Sequence, residues 1–263
     1  TQLTNVTYIG ASGGNWSVAS NWTNGALPTG NNVANVYIPS GVTVKYDSAV
    51  VDPVQSTVHS QGIIQFSNSA NITFIAPVVG SGSIGVVRDS GAGVATIASN
   101  NSGMTGNINL ANGASLILDN AYAMGFGKII SDNGYLGASG VRLDHLTVEG
   151  QVKLISDITA LGAQNYSNGV LLAPSGGSSS ISLTTTNANI YFGGVVNAES
   201  RNSSLTINAG SGQVTFNGKV GDIAYTYGNY LQSGKGSNVS VLDVAGGGAK
   251  LACTSGVIND WRI

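Results

Sequence analysis

Ile181–Asn197 reads ISLTTTNANIYFGGVVN, and Leu205–Gly221 reads LTINAGSGQVTFNGKVG. Set 24 residues apart, the two segments match position by position. Ile181 meets Leu205, Leu183 meets Ile207, Ile190 meets Val214, Phe192 meets Phe216, Gly194 meets Gly218 and Val196 meets Val220. Each segment is a strand, an Asn/Gly turn, a strand ending in Phe, a glycine and a further strand. A repeat of that size holding about three short strands is one coil of a parallel β-solenoid. A single coil cannot bury its inward face. Coils stacked ~4.8 Å apart, the ordinary interstrand spacing, bury it against one another. At 263 residues the chain accommodates ten to eleven such coils.

The rest of the chain carries the same signal. Val42-Thr43-Val44, Ile72-Thr73-Phe74, Leu116-Ile117-Leu118, Leu146-Thr147-Val148 and Val239-Ser240-Val241 are short alternating bursts. Period-2 alternation rich in Val, Ile, Thr and Phe marks half-buried strands, and the Gly, Asn, Ser and Asp between them mark turns. A β-sandwich is the alternative all-β reading. Its strands usually run five to eight residues with hairpins between them, and bursts of three favour the solenoid. No long helix is expected. Only Val54–Ser60 and Tyr122–Gly125 have room for a helical turn.

Composition agrees. Lys and Arg number 10 and Asp and Glu 12, so 8% of the chain is charged, against roughly 25% in an ordinary soluble domain. Yet 42% is hydrophobic and Gly alone accounts for 38 residues. Disordered chains combine low hydrophobicity with high net charge, and here the net charge is −2. Glu occurs only at Glu149 and Glu199, which excludes coiled coils and charged helical bundles. No apolar run reaches the ~18 residues of a membrane helix. Ten scattered cations make no phosphate-binding field, so no nucleic-acid partner is expected. The solenoid supplies a cause for the low charge. Equivalent positions on adjacent coils are cross-strand neighbours, where like charges repel and neutral Asn, Ser and Thr do not.

The repeat breaks after Val220. The stretch at about 222–236 carries Tyr225, Tyr227 and Tyr230 among Gly, Asn and Gln, and the strand at Val239 arrives about ten residues late. This reads as an insertion projecting from the coils. Tyrosine offers large contact area at low entropy cost, so these three are candidate ligand contacts; the alternative is that they cover an apolar edge. At the other end, Trp16 and Trp22 sit in a Gly/Asn-rich stretch. An open solenoid end exposes unpaired strand edges and core. Residues 1–45 are therefore expected to form an N-terminal capping region, followed by coils over 46–263. The two tryptophans either plug the first coil or stack on a sugar.

Catalytic chemistry is weakly represented. Histidine occurs only at His59 and His145. His145 next to Asp144 makes a Ser-His-Asp arrangement formally available, without a G-x-S-x-G elbow. Cys253, the single cysteine, forms no internal disulfide, and it lies too far in sequence from both histidines to argue for a metal site. Asp119 with Asp144, and Asp132 with Asp157, are each 25 apart, about one coil. Either pair is a candidate for the paired carboxylates of a glycoside hydrolase. Asp119, Asp132 and Asp157 each sit beside Asn, Gly or Ser, where Asp is an ordinary turn former. The expectation is a protein that is not an enzyme and needs no cofactor.

Three groups of residues carry a family resemblance. Val79-Gly80-Ser81-Gly82-Ser83-Ile84, Ser90-Gly91-Ala92-Gly93 and Asn100-Asn101-Ser102-Gly103-Met104-Thr105-Gly106-Asn107-Ile108-Asn109-Leu110 resemble the passenger-associated repeat of bacterial autotransporters. The match continues through Gly113–Leu118 and Ala121–Gly127, although Gly103-Met104-Thr105-Gly106 lacks the usual Tyr. Asp157–Val170 and Leu205–Val220 are similar to units of giant haemagglutinin-like adhesins. Gly14-Asn15-Trp16-Ser17-Val18-Ala19-Ser20-Asn21-Trp22, with Leu27–Gly30 and Val36–Pro39, resembles the opening of many secreted passengers. The resemblance implies a right-handed parallel β-helix exported by type V secretion through an outer-membrane translocator barrel. It implies a surface adhesin that binds host or neighbouring-cell carbohydrate or protein, with possible self-association. The chain is then expected to be a passenger fragment of a longer surface protein. The rival readings are a β-helix polysaccharide lyase or hydrolase, and a purely structural spacer.

Overall fold

Alternation places every second side chain of a burst on one face, and in the described three-residue bursts that face is buried. Ile72-Thr73-Phe74, Ile158-Thr159-Ala160 and Val214-Thr215-Phe216 all run buried, outward, buried. In a computed structural model the described residues are 4–67, 69–176, 180–199, 203–218 and 220. The backbone of Val239–Ala245, Ala249–Leu251 and Trp261–Arg262 is also described. All named strand pairs are parallel, stacked as a β-solenoid of about eight turns. Division by 24 predicts ten to eleven, and the coil length is not constant. Val6 pairs with Val36, thirty residues on. Ile64 pairs with Ile84, twenty on, and Ile207 pairs with Val244, thirty-seven on.

The chain divides into two compact units, Thr1–Gly134 and Tyr135–Ile263. In the first, every coil contributes to two parallel ladders, and the coils from Thr57 onward also contribute to a third. One holds Val6–Thr7, Asn35–Ile38, Thr57–Ser60, Val78–Gly80 and Gly103–Met104. The second holds Gly14–Asn15, Thr43–Tyr46, Ile63–Ser67, Ser83–Val87 and Ile108–Leu110. The third holds Ile72–Phe74, Ala95–Ile97 and Ser115–Leu118.

The second unit repeats the plan. Ile158–Ala160, Ser180–Thr185 and Ser203–Asn208 form one ladder, Gln164–Tyr166, Ile190–Phe192 and Val214–Phe216 another, and Val170–Leu172 with Val196–Ala198 a third. The register is the one the sequence alignment predicts. Ile181 pairs with Leu205, Ile190 with Val214, Phe192 with Phe216 and Val196 with Val220.

The interior is a column of stacked apolar side chains. Trp16, Tyr46, Phe66 and Phe74 interlock in the first unit, with Trp16–Tyr46 centroids 5.1 Å apart and Tyr46–Phe74 5.0 Å. In the second, Tyr166, Phe192 and Phe216 stack face to face at 5.3 and 4.7 Å. Two buried amides, Asn101 and Gln164, are bonded across coils. The Asn101 amide donates to Ala123 O at 2.7 Å, and its oxygen accepts from Val78 N at 3.0 Å. Gln164 donates to Ile158 O and Thr184 O and accepts from the Tyr166 hydroxyl at 2.9 Å.

Burial pushes the Tyr46 phenol from 10.0 up to about 12, and it moves the enclosed Tyr166 phenol in the same direction. An unfolded chain ionises these groups near pH 10 while the folded one holds them neutral. Their stabilising contribution is therefore whole below pH 10 and is lost as pH climbs from 10 toward 12 and beyond. One such group accounts for up to about 1.4 kcal/mol per pH unit in that window. Urea midpoints measured between pH 9 and 12 are expected to fall, and to fall less steeply in Tyr46→Phe. Equal slopes for the two proteins would refute the assignment.

The N-terminal stretch has its own arrangement. Ala19–Asn21 and Thr23–Gly25 are 3-10 turns, and Trp22 between them bridges Tyr8 in antiparallel fashion. Thr7 N donates to Thr23 Oγ1 at 3.0 Å, and Ile9 N to Asn21 O at 2.8 Å. These bonds take up backbone donors along the first strand.

Candidate functional site

The ladder registers bring together residues that sequence spacing keeps apart. Tyr37 pairs with His59, His59 with Val79, and Val79 with Gly103, all pointing outward from the first unit. Two positions further along the chain a second row forms. Ile38 pairs with Ser60 and Gly80 with Met104, which sets Pro39 beside Gln61, and Ser81 beside Thr105. Thr105 N donates to Gly80 O, and Phe126 N donates to Met104 O in the same way, at 2.9 Å each. Phe126 therefore continues the second row one coil on.

These two rows border a corner where the chain leaves the first ladder for the second. A groove of about 310 Å³ lies there, against Tyr37, Pro39, His59, Gln61, Val79 and Gly80. That volume falls at the lower end of the range for small-ligand sites, ~300–1,000 Å³. The Tyr37 and His59 rings are stacked, with centroids 4.8 Å apart and planes 14° from parallel. Their spacing is that of the coils, so the backbone itself holds the pair in contact. Asn35 fixes the imidazole. Its Nδ2 donates to Asn5 Oδ1 at 3.0 Å, leaving its Oδ1 to accept from His59 Nε2 at 3.2 Å. The assigned amide orientation puts the proton on Nε2 and leaves Nδ1 an acceptor when the ring is neutral.

Phe126 closes the other end of the second row. It is 75% exposed, and Tyr122 on the same turn is 44% exposed. The turn beneath them is firmly built. Tyr122 N donates to Asn120 Oδ1 at 3.0 Å, Gly125 N to Tyr122 O at 3.0 Å, and Asn101 Nδ2 to Ala123 O at 2.7 Å. Met104 and Met124 fill the space below. A large ring in water on a rigid turn is ready-made contact area with little ordering entropy left to lose.

The residues singled out from the sequence fall elsewhere. Trp16 and Trp22 are both 0% exposed, their rings 4.6 Å apart. Each indole N–H is bonded internally, Trp16 to Pro28 O at 2.9 Å and Trp22 to Trp16 O at 2.8 Å. Neither ring offers a face to a sugar, so of the two readings only the space-filling one fits their placement. Tyr225, Tyr227 and Tyr230 lie outside the described residues. Phe216 pairs with Leu251, thirty-five residues on, where the preceding coil took twenty-four.

The catalytic candidates remain dispersed. His145 Nδ1 lies 3.1 Å from Asp144 Oδ2 with both side chains partly exposed. Asp157 Oδ1 accepts from Ser182 N at 2.7 Å, a bond to the facing strand one coil on. Asp47 likewise accepts from Ser17 N and Ala49 N. Among the described residues no three His, Cys, Asp or Glu side chains come together. Lys153 is held over the Tyr135 ring at 4.7 Å and bonded to Glu199 at 2.7 Å. Its burial favours the neutral amine, but the Glu199 and Tyr135 bonds outweigh this and raise its pKa. A lysine held charged and paired is a structural strut, not a nucleophile.

The aromatic corner escaped sequence reading. Its members are separated by 22, 20 and 24 residues along the first row (Tyr37, His59, Val79, Gly103), so no constant repeat aligns them. The available signal was the recurrence of a residue before glycine at Gln61-Gly62, Ser81-Gly82, Thr105-Gly106 and Phe126-Gly127. No protein-family model matches the chain, and neither the curated proteins nor the solved structures compared with it give a match.

Proposed function

We propose that the chain is a non-catalytic binding segment of a secreted bacterial surface adhesin. In this reading it is exported by type V secretion through an outer-membrane translocator barrel. It presents contacts to a glycan or protein on a host or neighbouring cell. The observation that supports binding most directly is the outward corner of the first unit. Two stacked rings and a third exposed ring are held there on hydrogen-bonded coils, with no charged side chain in either row. Recognition groups mounted on a rigid scaffold are the common design of binding proteins. The Tyr225, Tyr227 and Tyr230 insertion is a second proposed contact region. We take the coil as right-handed, the hand of about 98% of parallel strand crossovers.

The Asp144–His145 pair is the feature that favours a hydrolytic second reading. One experiment separates the two. The full chain is incubated with immobilised bacterial and epithelial cells, and separately with a polysaccharide panel assayed for new reducing ends. Saturable cell binding without new reducing ends is expected. Release of reducing ends that disappears in His145→Ala would replace the adhesin reading with an enzymatic one.

A further inference from the structure

We infer that the corner from Tyr37 and His59 to Phe126 is a binding site for a linear, uncharged glycan chain lying along the coil axis. This rests on the proposed binding function and gives it a location and a ligand class. Extent is the first argument. Pro39, Gln61, Ser81, Thr105 and Phe126 occupy five successive coils, so the row spans four interstrand spacings, about 19 Å. That length suits several sugar units and exceeds a single one. Relief is the second. Rings stand at both ends, while Val79, Gly80, Ser81 and Gly103 between them carry short side chains or none. An extended ligand can lie on that low floor with its apolar C–H faces against the terminal rings.

Chemistry selects a glycan over a peptide strand. A peptide added to a sheet needs an edge with free backbone groups. Here those groups are already used between coils: Gln61 N donates to Ile38 O, Gly82 N to Ser60 O, and Thr105 N to Gly80 O, each at 2.9 Å. What the corner offers is ring surface together with amide and hydroxyl groups, from Gln61, Ser81, Thr105 and the His59 imidazole. Hydroxyl-rich, partly apolar ligands match that mixture. Charge selects an uncharged chain. Neither row contains Asp, Glu, Lys or Arg. Carboxylate or sulfate groups of an acidic glycan would lose water there without gaining a cationic partner.

The test is a printed panel of uncharged linear oligosaccharides, from two to six units, beside sialylated and sulfated chains. The 263-residue chain is expected to be captured by uncharged oligomers, more strongly as oligomer length increases. Phe126→Ala, which removes an exposed ring and leaves the core untouched, is expected to weaken the longest oligomers about tenfold, the effect of losing one hot-spot contact. Dimer capture should change little. Tyr37→Ala is expected to weaken short and long chains alike, whereas Val51→Ser, at a 96% exposed position outside both rows, should leave capture unchanged. Capture by acidic chains alone would overturn the assignment. So would capture of uncharged chains that neither ring substitution weakens, although binding would then survive as a function with its site elsewhere. Absence of both glycan capture and cell binding would remove both readings together.

Discussion

Trp16→Ala is expected to lower the unfolding free energy of the first unit by about 3–5 kcal/mol, the usual result of emptying a large buried aromatic site. The ring is 0% exposed and touches Trp22 at 4.6 Å and Tyr46 at 5.1 Å. Tyr46 in turn contacts Phe74 at 5.0 Å and Phe66 at 5.6 Å. One truncation therefore opens a void at the head of a connected aromatic column, where rigid rings on neighbouring coils have little freedom to collapse. The substitution also leaves Pro28 O without its 2.9 Å donor. Trp16→Phe separates the two contributions. It keeps most of the ring volume but not the N–H, and about 1–3 kcal/mol is expected for the unsatisfied carbonyl and the smaller ring. Because solenoid coils interact mainly with their neighbours, the loss should be greatest nearby. Hydrogen exchange is the appropriate probe, with protection falling at Val6–Thr7 and Gly14–Asn15 before Ile108–Leu110. If residues 1–45 serve as a cap, the variant should also self-associate as the first strands are uncovered, seen by light scattering. A Trp16→Ala protein within 1 kcal/mol of the parent would remove both the packing and the capping arguments.

The same tryptophans show where sequence reading succeeds and where it stops. Ile181–Asn197 and Leu205–Gly221 disclosed the fold because neighbouring coils of equal length repeat the same demand at each position. Burial at Ile181, Phe192 and Val196 recurs at Leu205, Phe216 and Val220. That legibility disappears when coil length changes. Leu146 pairs with Gln164, eighteen residues on, and Gln164 with Ile190, twenty-six on. A fixed 24-residue ruler slips between them. Tyr37 and His59 are 22 apart, so their stacking depends on how many residues the intervening turns consume. Turn residues leave only a weak pattern. Local composition leaves Trp16 and Trp22 open between a plug and a sugar platform, because the Gly and Asn around them serve sharp turns, and such turns aim large side chains inward as readily as outward. At Asp157 the sequence suggests an ordinary turn former, whereas its carboxylate serves the next coil, accepting from Ser182 N twenty-five residues on.

Gly106→Val is expected to destabilise the first unit by about 3 kcal/mol or more, at the upper end of what overpacking costs. The reason is a column of glycines beside the aromatic corner. A Cβ on Gly106 would sit on the Gly82 carbonyl oxygen, and one on Gly127 would sit on the Gly106 carbonyl oxygen. A Cβ on Gly82 meets Gly62 O at 2.5 Å and the Ser60 carbonyl carbon at 2.8 Å. At this corner each coil turns directly over the one beneath. The obstructing atoms are backbone and cannot swing aside as a side chain would. Relief requires prising two coils apart, which stretches ladder hydrogen bonds such as Thr105 N to Gly80 O. Part of the 38-glycine composition thus follows from close coil contact rather than from turn conformation. Gly85→Ala is the matched control. A Cβ there meets only Ile63 Cγ2 at 3.5 Å and Gln65 Cγ at 3.8 Å, so its thermal midpoint should stay within a few degrees of the parent. The column also couples fold to ligand. Gln61, Ser81, Thr105 and Phe126 each immediately precede one of its glycines. Displacing Gly106 therefore moves Thr105 and, through the coil above, Phe126. Gly106→Val is expected to lose glycan capture together with stability, while Phe126→Ala loses capture alone. Gly106→Val with an unchanged midpoint would show that the coils are not in the close contact that sets the two rows in line.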